Sequence, residues 1–405
     1  MNKRQSIWLL MILGSVLLLG CGSPHGADCL YPFREGNLYG YLGPDGSVVV
    51  PAQFAYTMPF QEGMGAFNVG GNTVGRDMPT DGKWGFINSK GQIVINPKYT
   101  SPPVSALPFV PEALGRIRHQ GYMFSDSLAG VIKEGEWVFI DPRGNIVISE
   151  GGNTPRFAAV RTFKEGLANV MVNNRWGYME KSGRMAIPAQ FLYPADFQEG
   201  YALVITDDLS WIVIDKHGNR VLPEYRIVTN FYEGIAAVMG DFKGVPENVD
   251  QVLRFWFVDS SGIRIPEEPQ FDDVGHYGGG LCPVLVGSEK SEEKNTYPGL
   301  VRAAKRIGGK WGYIRRDGSF GIVPSFDGAR SFHKGLAAVR KGDLFAYINV
   351  AGEYVTEFEF RFAGDFDECG IAVVQLGPSH NDFDGHFGYM NTSGEVIWIE
   401  ADLPY

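Results

Sequence analysis

Nine times along this chain an aromatic residue is followed, seven positions later, by a glycine. The aromatics are Tyr39, Trp84, Trp137, Trp176, Trp211, Phe255, Trp311, Phe345 and Phe387; the glycines are Gly46, Gly91, Gly144, Gly183, Gly218, Gly262, Gly318, Gly352 and Gly394. One offset kept nine times constrains the fold more than any other feature, because a periodic chain builds a periodic structure. Successive aromatics stand 34 to 56 residues apart. A second mark has its glycine 23 to 29 residues after the aromatic, as in Phe163-Lys164-Glu165-Gly166, Phe197-Gln198-Glu199-Gly200, Phe231-Tyr232-Glu233-Gly234 and Phe332-His333-Lys334-Gly335. An apolar run such as Leu336-Ala337-Ala338-Val339 comes next.

The physics of one unit can be read from Trp176 onward. Trp176 to Met179 is a strand of large apolar residues, and Glu180-Lys181-Ser182-Gly183 is a hairpin loop whose glycine supplies a positive φ. Met185 to Ile187 returns, and Pro188, which cannot donate to a ladder, ends that strand. Tyr201 to Ile205 makes a third strand after Phe197-Gln198-Glu199-Gly200. A lone hairpin is marginal in water, so such units must stack to bury their rings. The expected fold is therefore all-β: a tandem repeat of about nine roughly three-stranded antiparallel units. The 53 glycines and 13% aromatic content agree with short strands and many turns.

The ends bear on how the units are arranged. Leu30-Tyr31-Pro32-Phe33-Arg34-Glu35-Gly36 aligns with the third-strand run from Leu336 to Gly342, so the chain opens on a third strand and closes, from Phe387 to Tyr405, on a hairpin lacking one. An open, solenoid-like array capped by these halves is the expected arrangement; a closed, propeller-like ring is the alternative.

The N-terminus carries an address. Lys3 and Arg4 precede a 13-residue apolar run from Ile7 to Leu19, too short for a membrane span and suited to a signal peptide. Leu18-Leu19-Gly20-Cys21 resembles a bacterial lipobox, which implies acylation of Cys21 after removal of residues 1–20, a tether over 21–28, and a single repeat domain over 29–405. Three acyl chains would make attachment effectively permanent. Gly22-Ser23 lacks the Asp that favours inner-membrane retention, so the outer membrane is expected in a diderm cell. Loss of Lys3 and Arg4 takes the net charge from −10 to −12. That acidic body holds off anionic lipid and excludes a nucleic-acid backbone as partner.

The repeat itself resembles the bacterial WG repeat family, most closely in Lys83-Trp84-Gly85-Phe86-Ile87, Arg175-Trp176-Gly177-Tyr178 and Lys310-Trp311-Gly312-Tyr313-Ile314, and more loosely in Phe387-Gly388-Tyr389. The resemblance implies a repeat scaffold, often of the bacterial envelope, and no reaction. Val138, Ile212, Trp256 and Ala346 stand where the motif has its glycine, and the unit from Trp84 has Glu112-Ala113 in place of Glu-Gly. Distorted units are expected there.

Residues that could carry chemistry have plainer roles. The nine repeated aromatics could stack sugars, but their fixed place at a strand start favours packing of unit on unit. Glu62, Glu165, Glu199 and Glu233 recur before glycine as turn residues; a carboxylate pair for catalysis needs two unlike environments, and repetition supplies like ones. The cluster His380-Asn381-Asp382-Phe383-Asp384-Gly385-His386 matches no standard metal spacing and reads as a polar loop. His25, His119, His217, His276 and His333 are expected on exposed loops. Cys29, Cys282 and Cys369 are an odd number and are expected as buried free thiols. Insertions at Asp241 to Leu253 and at Ser288 to Gly309 read as surface loops, the second charged and mobile. No nucleotide, hydrolase or zinc-protease fingerprint occurs, so neither metal nor cofactor is expected. The expected function is a lipid-anchored, non-enzymatic scaffold for another envelope protein. A carbohydrate- or cell-wall-binding module and a hydrolase with a site on the inserted loops are the alternatives.

Overall fold

The structure is a computed structural model describing residues 29–72, 78–101, 121–151, 154–208, 210–222, 226–227, 229–239, 255–265, 271–290, 306–376 and 386–399. The signal segment, Cys21, the tether, Glu112-Ala113, the insertion at 241–253 and the stretch from His380 to Gly385 lie outside the described residues. Those residues are all-β, in eight antiparallel sheets whose strands pair in chain order. The last sheet has seven strands and contains two units joined by the pairing of Phe345 with Phe360. This makes nine modules, one per repeated aromatic.

The chain divides into two compact units: residues 1–190 with 367–371 and 397–405, and residues 191–366 with 372–396. The first unit contains modules one to four. Module one is Tyr31–Glu35, Leu38–Leu42 and Val48–Phe54; module two is Tyr56–Thr57, Met64–Val69, Lys83–Asn88 and Ile93–Tyr99. Module three is Ala129–Lys133, Glu136–Ile140 and Ile146–Ile148, and module four runs from Ala159–Lys164 to Met185–Phe191. The second unit contains modules five to eight, built around Tyr201–Ile205, Ile235–Met239, Cys282–Lys290 and Leu336–Lys341, and most of module nine.

Most units have the three expected strands, but each sheet frames them differently from the sequence repeat. The apolar third strand of one repeat pairs with the aromatic strand of the next: Leu167–Val172 with Arg175–Glu180, and Tyr201–Ile205 with Trp211–Asp215. The opening strand Tyr31–Glu35 thereby finds its partner in Leu38–Leu42. Central strands are buried on both faces, Leu167 to Met171 without a break, because neighbouring modules cover both sides. Return strands lie at sheet edges and are exposed at most positions, as in Val48–Phe54 and Ile93–Tyr99.

Pro188 does not end its strand. Met185–Phe191 runs through it, as Ile93–Tyr99 runs through Pro97 and Phe320–Phe326 through Pro324. These are edge strands, so the missing N–H can face outward without breaking a ladder. The insertion read as a mobile loop also begins and ends in strand: Ser288 pairs with Gly308, Glu289 with Ile307 and Lys290 with Arg306.

The glycine after the aromatic has a steric cause. The return strand bulges opposite it: Trp84 faces Tyr99 and Phe86 faces Ile95, and the same shift occurs between Trp311 and Tyr313. The bulge closes on the glycine. A Cβ on Gly85 would lie 2.6 Å from the Ile95 carbonyl oxygen, and on Gly177 2.6 Å from that of Ile187. Where another residue replaces the glycine the return strand is shorter among the described residues. Among the described residues the return strand is Ile146–Ile148 after Val138 and Arg264–Ile265 after Trp256, a single bridge at Arg220 after Ile212, and single pairings at Tyr354 and Phe360 after Ala346. The expected distortion is therefore a shortening of the return strand.

Candidate functional site

The repeated glutamates occupy tight hairpin turns and act between modules. Glu62, Glu165, Glu199 and Glu233 all have φ near +50°, each followed by a left-handed glycine. Two successive left-handed residues make the turn that matches strand twist. Module three has a turn of this kind at Asp126-Ser127, with φ 53° and 66°. The Glu62, Glu199 and Glu233 carboxylates accept backbone amides from the turn of the following module. Glu62 takes the Asp126 and Ser127 N–H groups, both at 2.8 Å, and Asp126 takes that of Gly166. In the second unit Glu199 takes the Glu233 and Gly234 N–H groups at 2.7 Å, and Glu233 takes that of Gly280 at 3.0 Å. The three glutamates are exposed and Asp126 is half-buried, yet they latch one module to the next.

The aromatic hairpin loops carry their own device. Asp141 accepts the Arg143 and Asn145 amides, and Asp259 those of Ser261 and Ile263. The Asn145 side chain on Asp141 and the Ser261 hydroxyl on Asp259 hold both carboxyls below the usual range. In the first unit each loop glycine rests on the return strand of the preceding module: Gly91 on Val50, Gly144 on Ile95 and Gly183 on Ile148. Gly46 rests in the same way on Ile397, from the last return strand.

That contact joins the first and last modules inside the first unit, and it does not stand alone. The Phe33 and Trp398 rings meet edge to face at 6.1 Å, and Cys29 is bridged to Cys369 with their Cα atoms 6.4 Å apart. The expectation of three free thiols is thus corrected. Cys29 precedes the opening third strand and Cys369 sits in the turn before Ile371, so both occupy the turn level where other joints have a carboxylate. Cys282 alone of the described cysteines is free; it is fully buried, and burial pushes its thiol well up. Burial likewise raises Asp367, beside Tyr31.

The aromatics pack module on module. Tyr39, Tyr56, Trp84, Tyr122 and Trp137 form a chain of ring contacts at 5.1 to 6.4 Å through the first three modules. Trp84, Trp137, Trp176 and Phe255 are buried; Tyr39, Trp211, Trp311, Phe345 and Phe387 are half-buried. Trp84 donates its indole N–H to Ser101 at 2.8 Å, and the Arg161 guanidinium lies 5.3 Å from the Trp176 ring.

His217 is exposed, but His276 and His333 are not on open loops. His276 stacks on Tyr232 at 4.1 Å and meets His333 edge to face at 5.4 Å. The Nε2 atoms of both imidazoles are buried without a hydrogen-bond partner. Each such atom costs about 1–3 kcal/mol. Burial, then the neighbouring His333, pushes the His276 pKa down to about 3. The sequence gives no sign of the pair, since its members are 57 residues apart and in different repeats. Arg330 and Asp365 face each other at 3.5 Å between modules eight and nine. Among the described residues no three His, Cys, Asp or Glu gather as a metal site.

Comparison with known proteins agrees with the repeat. Residues 39–72, 84–110, 139–176, 176–209, 311–345 and 345–377 each match the family model described as WG containing repeat. No curated protein matches the chain. Among solved structures, a eukaryotic initiation factor is similar at 11% identity and a TM-score of 0.39, covering 94% of this chain and 86% of its own. The computationally designed Ika8 protein is similar at 11% identity and 0.38, covering 68% and 85%; BamB from Moraxella catarrhalis at 10% and 0.30, covering 67% and 79%.

Proposed function

Because this chain belongs to the WG repeat family, we propose that it is a lipid-anchored, non-enzymatic scaffold of the bacterial cell envelope that docks another envelope protein. The observation that carries the docking role is a recurring apolar pair at the start of successive edge strands. Val48-Val49, Ile93-Val94 and Ile146-Val147 lie at equivalent positions of modules one to three, and Val48, Ile93 and Val147 are 56%, 53% and 50% exposed. Exposed apolar groups repeated in register favour a protein partner. The recurrent carboxylates are occupied with backbone amides, which favours a structural over a catalytic role. The Cys29–Cys369 bridge favours an oxidising compartment outside the cytoplasm, in keeping with acylation at Cys21.

Two experiments test the reading. Cys21→Ser should move the protein from the membrane to the soluble fraction; continued membrane attachment defeats the anchor. A photoreactive residue at Val49, Val94 or Val147 of the anchored protein in its own cells should give a discrete protein adduct, and no adduct at all three defeats the docking role. Half-buried Trp211 and Trp311 keep a carbohydrate-binding reading open. Retention on cell-wall glycan, lost on changing either Trp to Ala, would favour it.

A further inference from the structure

The carboxylate latch is missing where module seven meets module eight in the second unit. Glu199 links module five to six and Glu233 links six to seven, but the turn of module seven is Gly279-Gly280, with φ 59° and 76°. Gly279 stands where the other turns have a carboxylate and has no side chain to reach the turn of module eight at Lys334-Gly335. At this same joint His276 of module seven faces His333 of module eight. We propose that His276 and His333 bind a borderline divalent metal ion, Zn²⁺ or Cu²⁺, that links the two modules in place of the missing carboxylate.

The chemistry of the pair fits such an ion. Neutral imidazole is the nitrogen ligand that zinc and copper favour. Both Nε2 atoms are sealed from solvent with no hydrogen-bond partner, so each has a free lone pair or an unused N–H. With metal–nitrogen bonds of about 2.0–2.1 Å, two imidazoles on one tetrahedral centre have ring centres roughly 5 Å apart; the observed separation is 5.4 Å. The rings are also held in place. His276 is stacked on Tyr232, and its backbone N–H and C=O both bond the Ser331 hydroxyl, at 3.1 and 2.8 Å. The His333 backbone is closed in a two-bond pair with Leu336. Burial keeps His276 neutral at physiological pH, so no proton competes there. No third protein ligand gathers among the described residues.

The test is calorimetric titration of the full mature chain with ZnCl₂, and electron paramagnetic resonance of the same chain with one equivalent of CuCl₂. One ion per chain is expected, with imidazole nitrogen hyperfine structure in the copper spectrum. His276→Gln and His333→Gln should each weaken binding at least tenfold, while His217→Gln and a His380→Gln/His386→Gln double variant should bind as the parent does. Absence of binding by the parent overturns the proposal. So does binding that survives loss of both His276 and His333, or that disappears in the His380/His386 variant. Should the His276 or His333 variants fail to fold, the copper spectrum of the parent and of the His380/His386 variant still decides: no imidazole hyperfine structure in either overturns the site.

Discussion

Gly177 shows how much a single position in this repeat is asked to do. It is in an ordinary extended strand, so its backbone angles would admit any residue; what excludes a side chain is the bulged return strand. Gly177→Ala would place a methyl group 2.6 Å from the Ile187 carbonyl and 2.7 Å from the Ala189 nitrogen, both backbone atoms that cannot rotate away. Overpacking of this kind costs typically 1–3 kcal/mol. The urea midpoint of Gly177→Ala should fall accordingly, whereas Gly166→Ala, with open space around its Cβ, should show only the smaller cost of its positive φ. Equal losses would remove the bulge as the cause. The sequence displays this glycine as a motif letter but not its reason, because the reason lies across the hairpin. The glutamates are hidden in the same way: their place in turns is legible, but Glu62 meets partners 64 and 65 residues ahead. No local pattern encodes such a reach.

Among strands, the apolar runs were the most legible, because burial on both faces leaves an unbroken hydrophobic signal; Tyr201–Ile205 lies where the sequence places it. The return strands were less so. Met185–Phe191 outruns its expected end because an edge strand tolerates a proline that a central strand would not. That same proline protects the molecule. An exposed edge bearing Val, Ile or Ala is a template for pairing with another chain, and a missing donor blunts it. Replacing Pro97 and Pro188 together with Val should leave the fold intact but raise self-association, seen as growth in light scattering at a concentration where the parent stays monodisperse. Unchanged scattering would mean that these prolines serve the bulge alone.

At the scale of the whole chain, two conditions outside the sequence pattern govern stability: pH and oxidation. His276 has a folded-state pKa near 3 against an ordinary value of 6.5. The unfolded chain therefore takes up this proton first, and the contribution is complete above pH about 6.5 and shrinks as pH falls toward 3, by at most about tenfold in the folding constant per pH unit. Asp141 and Asp259 sit below the usual carboxylate range, so their share is lost only below pH about 4. Between pH 6.5 and 4.5 the slope of the urea midpoint should thus be reduced in His276→Gln; an unaltered slope would contradict the burial of that imidazole. Oxidation acts at the other end of the latch series. The Cys29–Cys369 bridge closes a span of 340 residues and joins the first module to the last. Loop-closure entropy and measured disulfides suggest about 2–5 kcal/mol for it. Cys29→Ser, Cys369→Ser and reduction of the parent should all lower the unfolding midpoint by the same amount, since each removes the same bond. A thiol count on the denatured, unreduced, acylated protein should return Cys282 alone, because Cys21 is capped. A count of three would mean that the first and last modules are held without the bridge, and reductant would then leave the midpoint unmoved.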